Sequence, residues 1–115
     1  DAIWAAEQVL RSGACGAALL WLARDEYAWL RRLQMAAQAG RSMAVLFRST
    51  AAERLSTPAH LRVALERDDG MLNVRIPKRR GPPLATPVSL SIGFASRSRR
   101  AVVRPRIALV AAAAG

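Results

Sequence analysis

Lys78, Arg79 and Arg80 stand side by side, and three adjacent cations suit one task above others: neutralising phosphates or an acidic protein surface. The chain has 115 residues and a formal net charge of +10, which is unevenly placed. Residues 1–77 hold ten arginines against eight acids, a net of +2. Residues 78–115 hold Lys78, Arg79, Arg80, Arg97, Arg99, Arg100, Arg104 and Arg106, and no acid. Such a segment attracts polyanions; the competing reading is a solubilising tail with no fixed partner. Arg31 and Arg32 fall on the outer side of a predicted helix and could meet phosphate, although a solvated helix face is the commoner use of such a pair. Arg48 follows an apolar strand, at the carboxyl edge of the sheet where α/β proteins place their sites. The candidate residues for contact with a partner or DNA are therefore Arg31, Arg32, Arg48, Lys78, Arg79 and Arg80.

Groups suited to catalysis or metal binding are sparse, and no catalytic residue, metal or cofactor is predicted. His60, the single histidine, opens a strand with no cysteine or second histidine near it, so an ordinary strand-edge role is preferred. Cys15 is the single cysteine and sits in an apolar run, where a buried thiol acts as a small hydrophobe. A lone thiol without a disulfide partner suits a reducing compartment, so a cytoplasmic protein is expected. Asp68-Asp69 precedes Gly70 and reads as turn chemistry rather than a carboxylate pair. The serines lie in no nucleophile-elbow motif. Trp4, Trp21 and Trp29 could stack on bases, but the positions of Trp21 and Trp29 favour core packing. No apolar run reaches the roughly 18 residues that cross a bilayer, so no membrane partner is expected. The start, Asp1-Ala2-Ile3-Trp4, lacks the basic region of a signal peptide. It also lacks a Met and opens inside a helical pattern, which predicts a preceding segment.

These side chains need elements to position them. Ile3, Ala6 and Leu10 share a face, which predicts a helix over 2–12, capped by Asp1 and stopped by Gly13. Ala17 to Leu22 is a short apolar run and reads as a buried strand. Asp25 can cap a helix over 26–39, with Leu30, Leu33 and Ala37 on its apolar stripe, and Gly40 ends it. Met43 to Phe47 reads as a second buried strand. Helix, strand, helix, strand in this order predicts an α/β fold with a mainly parallel sheet. A loop over 49–58 follows. Leu61, Val63 and Leu65 then alternate with polar residues, as do Leu72, Val74 and Ile76. With Asp68-Asp69-Gly70 between them they predict a C-terminal antiparallel hairpin. The core would span 1–77, and 78–115 would form a basic Pro/Arg/Ala-rich tail with one edge strand at 88–92. A short helix is expected over Ile107 to Ala114.

Two segments carry a family resemblance. Ile3 through Leu22, centred on Leu10-Arg11-Ser12-Gly13-Ala14-Cys15-Gly16-Ala17, resembles the part of SulA/ImuA proteins that precedes their second core strand. Leu30-Arg31-Arg32-Leu33-Gln34-Met35-Ala36-Ala37-Gln38-Ala39-Gly40, followed by Leu46-Phe47-Arg48, resembles that family's next helix and strand. The hairpin with Lys78-Arg79-Arg80-Gly81 fits the ImuA branch. The resemblance covers about residues 2–83 and implies part of a RecA-like domain, its C-terminal half.

It also implies a degenerate ATPase site. An active RecA-like ATPase ends its second core strand in a carboxylate that helps hold Mg²⁺; Leu20-Trp21-Leu22 stands there. A later strand would carry an Asn-Gln pair that senses the γ-phosphate; Arg48 and Ser49 stand there. No G-x-x-x-x-G-K-[ST] loop occurs. The resemblance therefore implies a cytoplasmic, nucleoid-associated, non-catalytic accessory protein of SOS-induced translesion DNA synthesis. Its implied partners are a translesion polymerase subunit and RecA, with the basic tail aiding contact with DNA. The alternative that the resemblance carries is a SulA-like inhibitor of cell division that binds FtsZ.

Overall fold

The structure, a computed structural model, describes residues 1–22, 24, 26–92 and 107–112, the last group through its backbone. It is α/β: helix α1 (Ala2–Ser12), strand β1 (Ala17–Trp21), helix α2 (Tyr27–Ala39), strand β2 (Met43–Ser49), a 3₁₀ turn (Thr50–Arg54), then β3 (Leu61–Asp68), β4 (Met71–Lys78), β5 (Val88–Ser91) and β6 (Ile107–Ala112). The six strands form one sheet in the order β1-β2-β6-β3-β4-β5.

Helix α1 forms where its pattern predicts. The Asp1 carboxylate accepts from the Ile3 N–H at 2.9 Å, and Gly13 closes the helix in the left-handed region at φ 66°. Ile3, Ala6 and Leu10 are buried. Helix α2 starts at Tyr27; its cap residue Glu26 makes no side-chain capping bond, and Asp25 lies outside the described residues. Leu33, Ala36 and Ala37 of α2 meet Ile3, Ala6 and Leu10 over Ala44 of β2, with Ala18, Leu20 and Trp29 packed at the margin. Both helices therefore lie on the side of the sheet to which Ala18, Leu20, Ala44 and Leu46 belong.

The expectation of a mainly parallel sheet does not hold. Among the described residues one ladder is parallel, β1 with β2, pairing Ala17–Trp21 with Met43–Phe47. The other four are antiparallel. The difference lies in Ile107–Ala112. This segment enters between β2 and β3 as a strand, where a helix over 107–114 is expected; Ala113 and Ala114 lie outside the described residues. Its alanines favour a helix in isolation. Between β2 and β3 its backbone instead pairs on both sides, which outweighs a propensity of tenths of a kcal/mol per residue. The sheet accordingly does not stop at residue 77: β5 forms the expected edge strand, one residue shorter than expected, and β6 lies inside the sheet.

The hairpin β3–β4 forms as expected. Asp68 pairs with Met71, so the loop is the two residues Asp69 (φ 41°) and Gly70 (φ 80°), both in the left-handed region that suits this tight turn. Pro77 lies within β4. The register shifts there, from Ala64–Arg75 to Arg62–Lys78, so a residue without an N–H stands at an irregularity of the ladder.

The close approach of the two helices depends on Gly40. A Cβ at this position would lie 1.8 Å from the Leu10 carbonyl oxygen. Gly40→Ala should therefore destabilise the protein by about 2–3 kcal/mol, as overpacking does against backbone that cannot yield. Thermal denaturation should show Tm lowered by at least about 8 °C. An unchanged Tm would contradict this seating of the helices.

Candidate functional site

The sequence nominates six cations, and the structure sorts them by what each already holds. Glu7 is the hub of the first group. It sits on α1 with an 11% exposed side chain, and Arg11 reaches one of its oxygens at 3.0 Å while Arg32 of α2 reaches the other at 2.5 Å. Arg32 Nε donates to that second oxygen as well, at 3.1 Å. Arg32 is thus a strut between the helices, and its expected place on a free binding face is corrected. Arg31, the next residue, is exposed.

Arg48 is 7% exposed, on β2 two residues beyond the buried Leu46. Its guanidinium is inside the protein, so Arg48 does not share a surface with the other candidates. Arg48 does stand at the carboxyl end of β2, one residue before its last, but it is enclosed there, paired with Ala108 of β6, rather than open to a partner.

Lys78, Arg79 and Arg80 are exposed at the end of β4 and in the turn after it. They do not behave alike. Lys78 Nζ donates to the Thr57 carbonyl at 3.1 Å, which ties β4 to the loop before β3. Arg79 Nε donates to the Pro82 carbonyl at 2.5 Å, folding the turn back at Gly81, whose φ is 89°. Arg79 and Arg80 are both exposed there. The same loop meets α2: Gln34 Nε2 donates to the Pro58 carbonyl at 3.1 Å and lies 3.2 Å from His60 Nε2. Arg31 stands about one helical turn before Gln34. The 57–60 loop therefore joins the α2 flank to the basic end of β4. His60 is a strand-edge residue held by an amide, as expected.

Part of the remaining charge is structural, while Arg24, Arg41, Arg54 and Arg67 are exposed. Arg75 pairs with Glu53 at 2.8 Å, and that hydrogen bond holds its guanidinium above the ordinary arginine pKa. Arg62 donates to the Glu53 carbonyl. Thr50, Glu53, Glu66 and Arg75 line a polar cavity of about 70 Å³ across which this pair reaches. A second, apolar cavity of about 20 Å³ lies between Leu30, Leu33, Leu46 and Ala59, room for about one water rather than a ligand. Among the described residues no three His, Cys, Asp or Glu side chains gather into a metal site, and no helix is long and apolar enough to cross a membrane. Arg97, Arg99, Arg100, Arg104 and Arg106 lie outside the described residues.

Sequence reasoning misplaced Trp21. It is 68% exposed rather than a core residue, and it stacks on Phe47 with centroids 4.5 Å apart and planes 6° from parallel. Trp4 is also exposed, at 60%. Alternation along β1 is the signal that could have found Trp21: Ala18 and Leu20 face the helices, so Trp21 faces the opposite side. No family model matches the chain, and no curated protein or solved structure matches it significantly.

Neighbouring arginines should therefore respond differently to substitution. Arg32→Ala should cost about 1 kcal/mol, the value of a charge-assisted bond to a mostly buried carboxylate, discounted for a half-exposed guanidinium. Arg31→Ala should leave Tm unchanged. Equal melting points for the two variants would remove the distinction between strut and available cation.

Proposed function

We propose that this chain is a non-catalytic accessory protein of DNA-damage-induced translesion synthesis, acting by binding protein partners, with its basic end aiding contact with DNA. The observation that carries the DNA part is the pair Arg79 and Arg80. They are exposed side by side on a turn anchored by Lys78, with Arg31 across the 57–60 loop. Fixed backbone with exposed guanidinium groups is suited to phosphate, because the forks need little further ordering to bind.

The protein part rests on the resemblance to SulA/ImuA proteins and on what stands at the strand ends. In this reading the α1-β1-α2-β2 unit is the C-terminal half of a RecA-like domain. The exposed Trp21 then occupies the position where an ATPase of that fold keeps its Mg²⁺-binding carboxylate, and the buried Arg48 begins the position of the γ-phosphate sensor. Phosphoryl transfer needs a metal ligand and a positioned polar group at those places. An indole and an enclosed guanidinium supply neither, so the surviving role is binding, with a translesion polymerase subunit and RecA as the partners.

Titration of fluorescent single-stranded DNA at several salt concentrations tests the reading. Affinity should fall with salt, and Arg79→Ala/Arg80→Ala should reduce the slope of log K against log salt by about 1.4, the contribution of two phosphate contacts on a single strand. Affinity indifferent to both salt and substitution would remove the DNA role. A block of FtsZ polymerisation by the chain would replace the translesion reading with that of a division inhibitor.

A further inference from the structure

The edge strand β1 carries a pattern that its place in the fold only half explains. Gly16-Ala17-Ala18-Leu19-Leu20-Trp21-Leu22 runs from small to large with no charge and no proline. Edge strands are commonly protected by a lysine, a proline or a bulge, and none occurs here. The Met43 N–H donates to the Gly16 carbonyl at 2.9 Å, in register with the parallel ladder to β2. In such a ladder alternate residues turn both backbone groups to the same side. Gly16, Ala18 and Leu20 therefore face β2, while Ala17, Leu19 and Trp21 present N–H and C=O to the edge that no described strand covers.

We propose that this edge is a self-association site, at which β1 pairs antiparallel with β1 of a second copy about a two-fold axis through Leu19. The occupant follows from the pattern. About that axis Gly16 faces the partner's Leu22, Ala17 its Trp21 and Ala18 its Leu20, so large meets small at every step and Leu19 meets its own counterpart. The pairing is also right for hydrogen bonds. Ala17, Leu19 and Trp21 are the residues with outward backbone groups, and they oppose one another in this register, so each pair exchanges two bonds. Side chains stay on matching sides of the continuous sheet, because each opposed pair is separated by an even number of positions about Leu19.

Neighbouring surface agrees. Leu19 and Trp21 are 56% and 68% exposed. Helix α1 packs on β1 and α2 on β2, and Glu7 of α1 reaches toward α2. At 100° per residue Ala2, Ala5 and Val9 fall on the opposite flank of α1, above the open edge, and all three are exposed and uncharged. A two-fold contact sets each residue near its own copy, so a surface without charge meets no self-repulsion. Five-residue edges with two indoles bury less than the roughly 1,600 Å² of a standard interface, so the dimer is a weak one, in the micromolar range.

Sedimentation velocity of the full chain over a concentration series provides the test. The expected result is a monomer–dimer equilibrium, with Leu19→Lys raising the dissociation constant at least about tenfold by opposing two charges at the axis. In a Cys15→Ser background, Leu19→Cys should form a covalent dimer under mild oxidation, because opposed residues of an antiparallel pair lie within disulfide reach. Leu90→Cys on the other edge strand, β5, should not. A monomer at every concentration, a dimer unaffected by Leu19→Lys, or preferential cross-linking at position 90 would each overturn the proposal.

Discussion

Gly40 has no side chain because the carbonyl of Leu10 occupies the space where one would be. The rest of the α/β unit follows from that approach. The Gly40 carbonyl oxygen in turn lies 3.0 Å from where a Cβ of Gly13 would be, so two glycines at two helix ends lock together. Ser42, 1% exposed, donates from its hydroxyl to the Cys15 carbonyl at 2.7 Å and so stitches the chain entering β2 to the chain entering β1. One residue later the Met43 N–H meets the Gly16 carbonyl, and the parallel register is set. Helix packing and strand pairing are therefore one event. The contact that brings α1 against α2 also aligns β1 with β2.

The same approach divides the charges. With α1 and α2 drawn together at their C-terminal ends, Glu7 and Arg32 come within reach along their length. A carboxylate can sit in a largely apolar seam because two guanidinium groups meet it there while keeping half their own surface in water. Other cations are drawn inward in the same way: Arg75 and Arg62 by Glu53, Lys78 by the Thr57 carbonyl. What remains for an outside partner is a smaller set than the net charge suggests. Of the six candidates, Arg31, Arg79 and Arg80 stay exposed without bridging two elements, and among the other described cations Arg24, Arg41, Arg54 and Arg67 are exposed as well.

Local pattern made much of this legible. Helix α1 is readable in full, because the cap, the apolar face and the left-handed glycine are all within twelve residues of one another. The β3–β4 hairpin is readable because its turn demands a residue such as Gly70 where φ is positive. The position of β6 is not readable, because Ile107–Ala112 is a strand only in the slot between β2 and β3, and nothing near it in sequence describes that slot. The candidate cations were legible as a set, by charge alone. Their division into struts and available groups was not. Arg32 and Arg31 are neighbours of the same type, and only the position of Glu7, twenty-five residues earlier, separates them.

Strand β1 shows the two kinds of constraint acting on one segment. On the helix-covered side it begins small and ends large for an internal reason. Ala18 lies where α1 and α2 are drawn together by Gly40, and Leu20 and Leu22 lie further along, where they fill space beside Leu30 and Leu46. On the opposite side the gradient repeats as Ala17, Leu19 and Trp21, yet neither helix packs there. The Trp21–Phe47 stack accounts for one face of the indole. It leaves the remaining surface, together with Leu19, to solvent. A gradient required by packing on one side need not recur on the other, since successive side chains answer to different neighbours. Its recurrence beside an edge that no described strand covers is a physical reason to regard that edge as built for a strand of the same sequence.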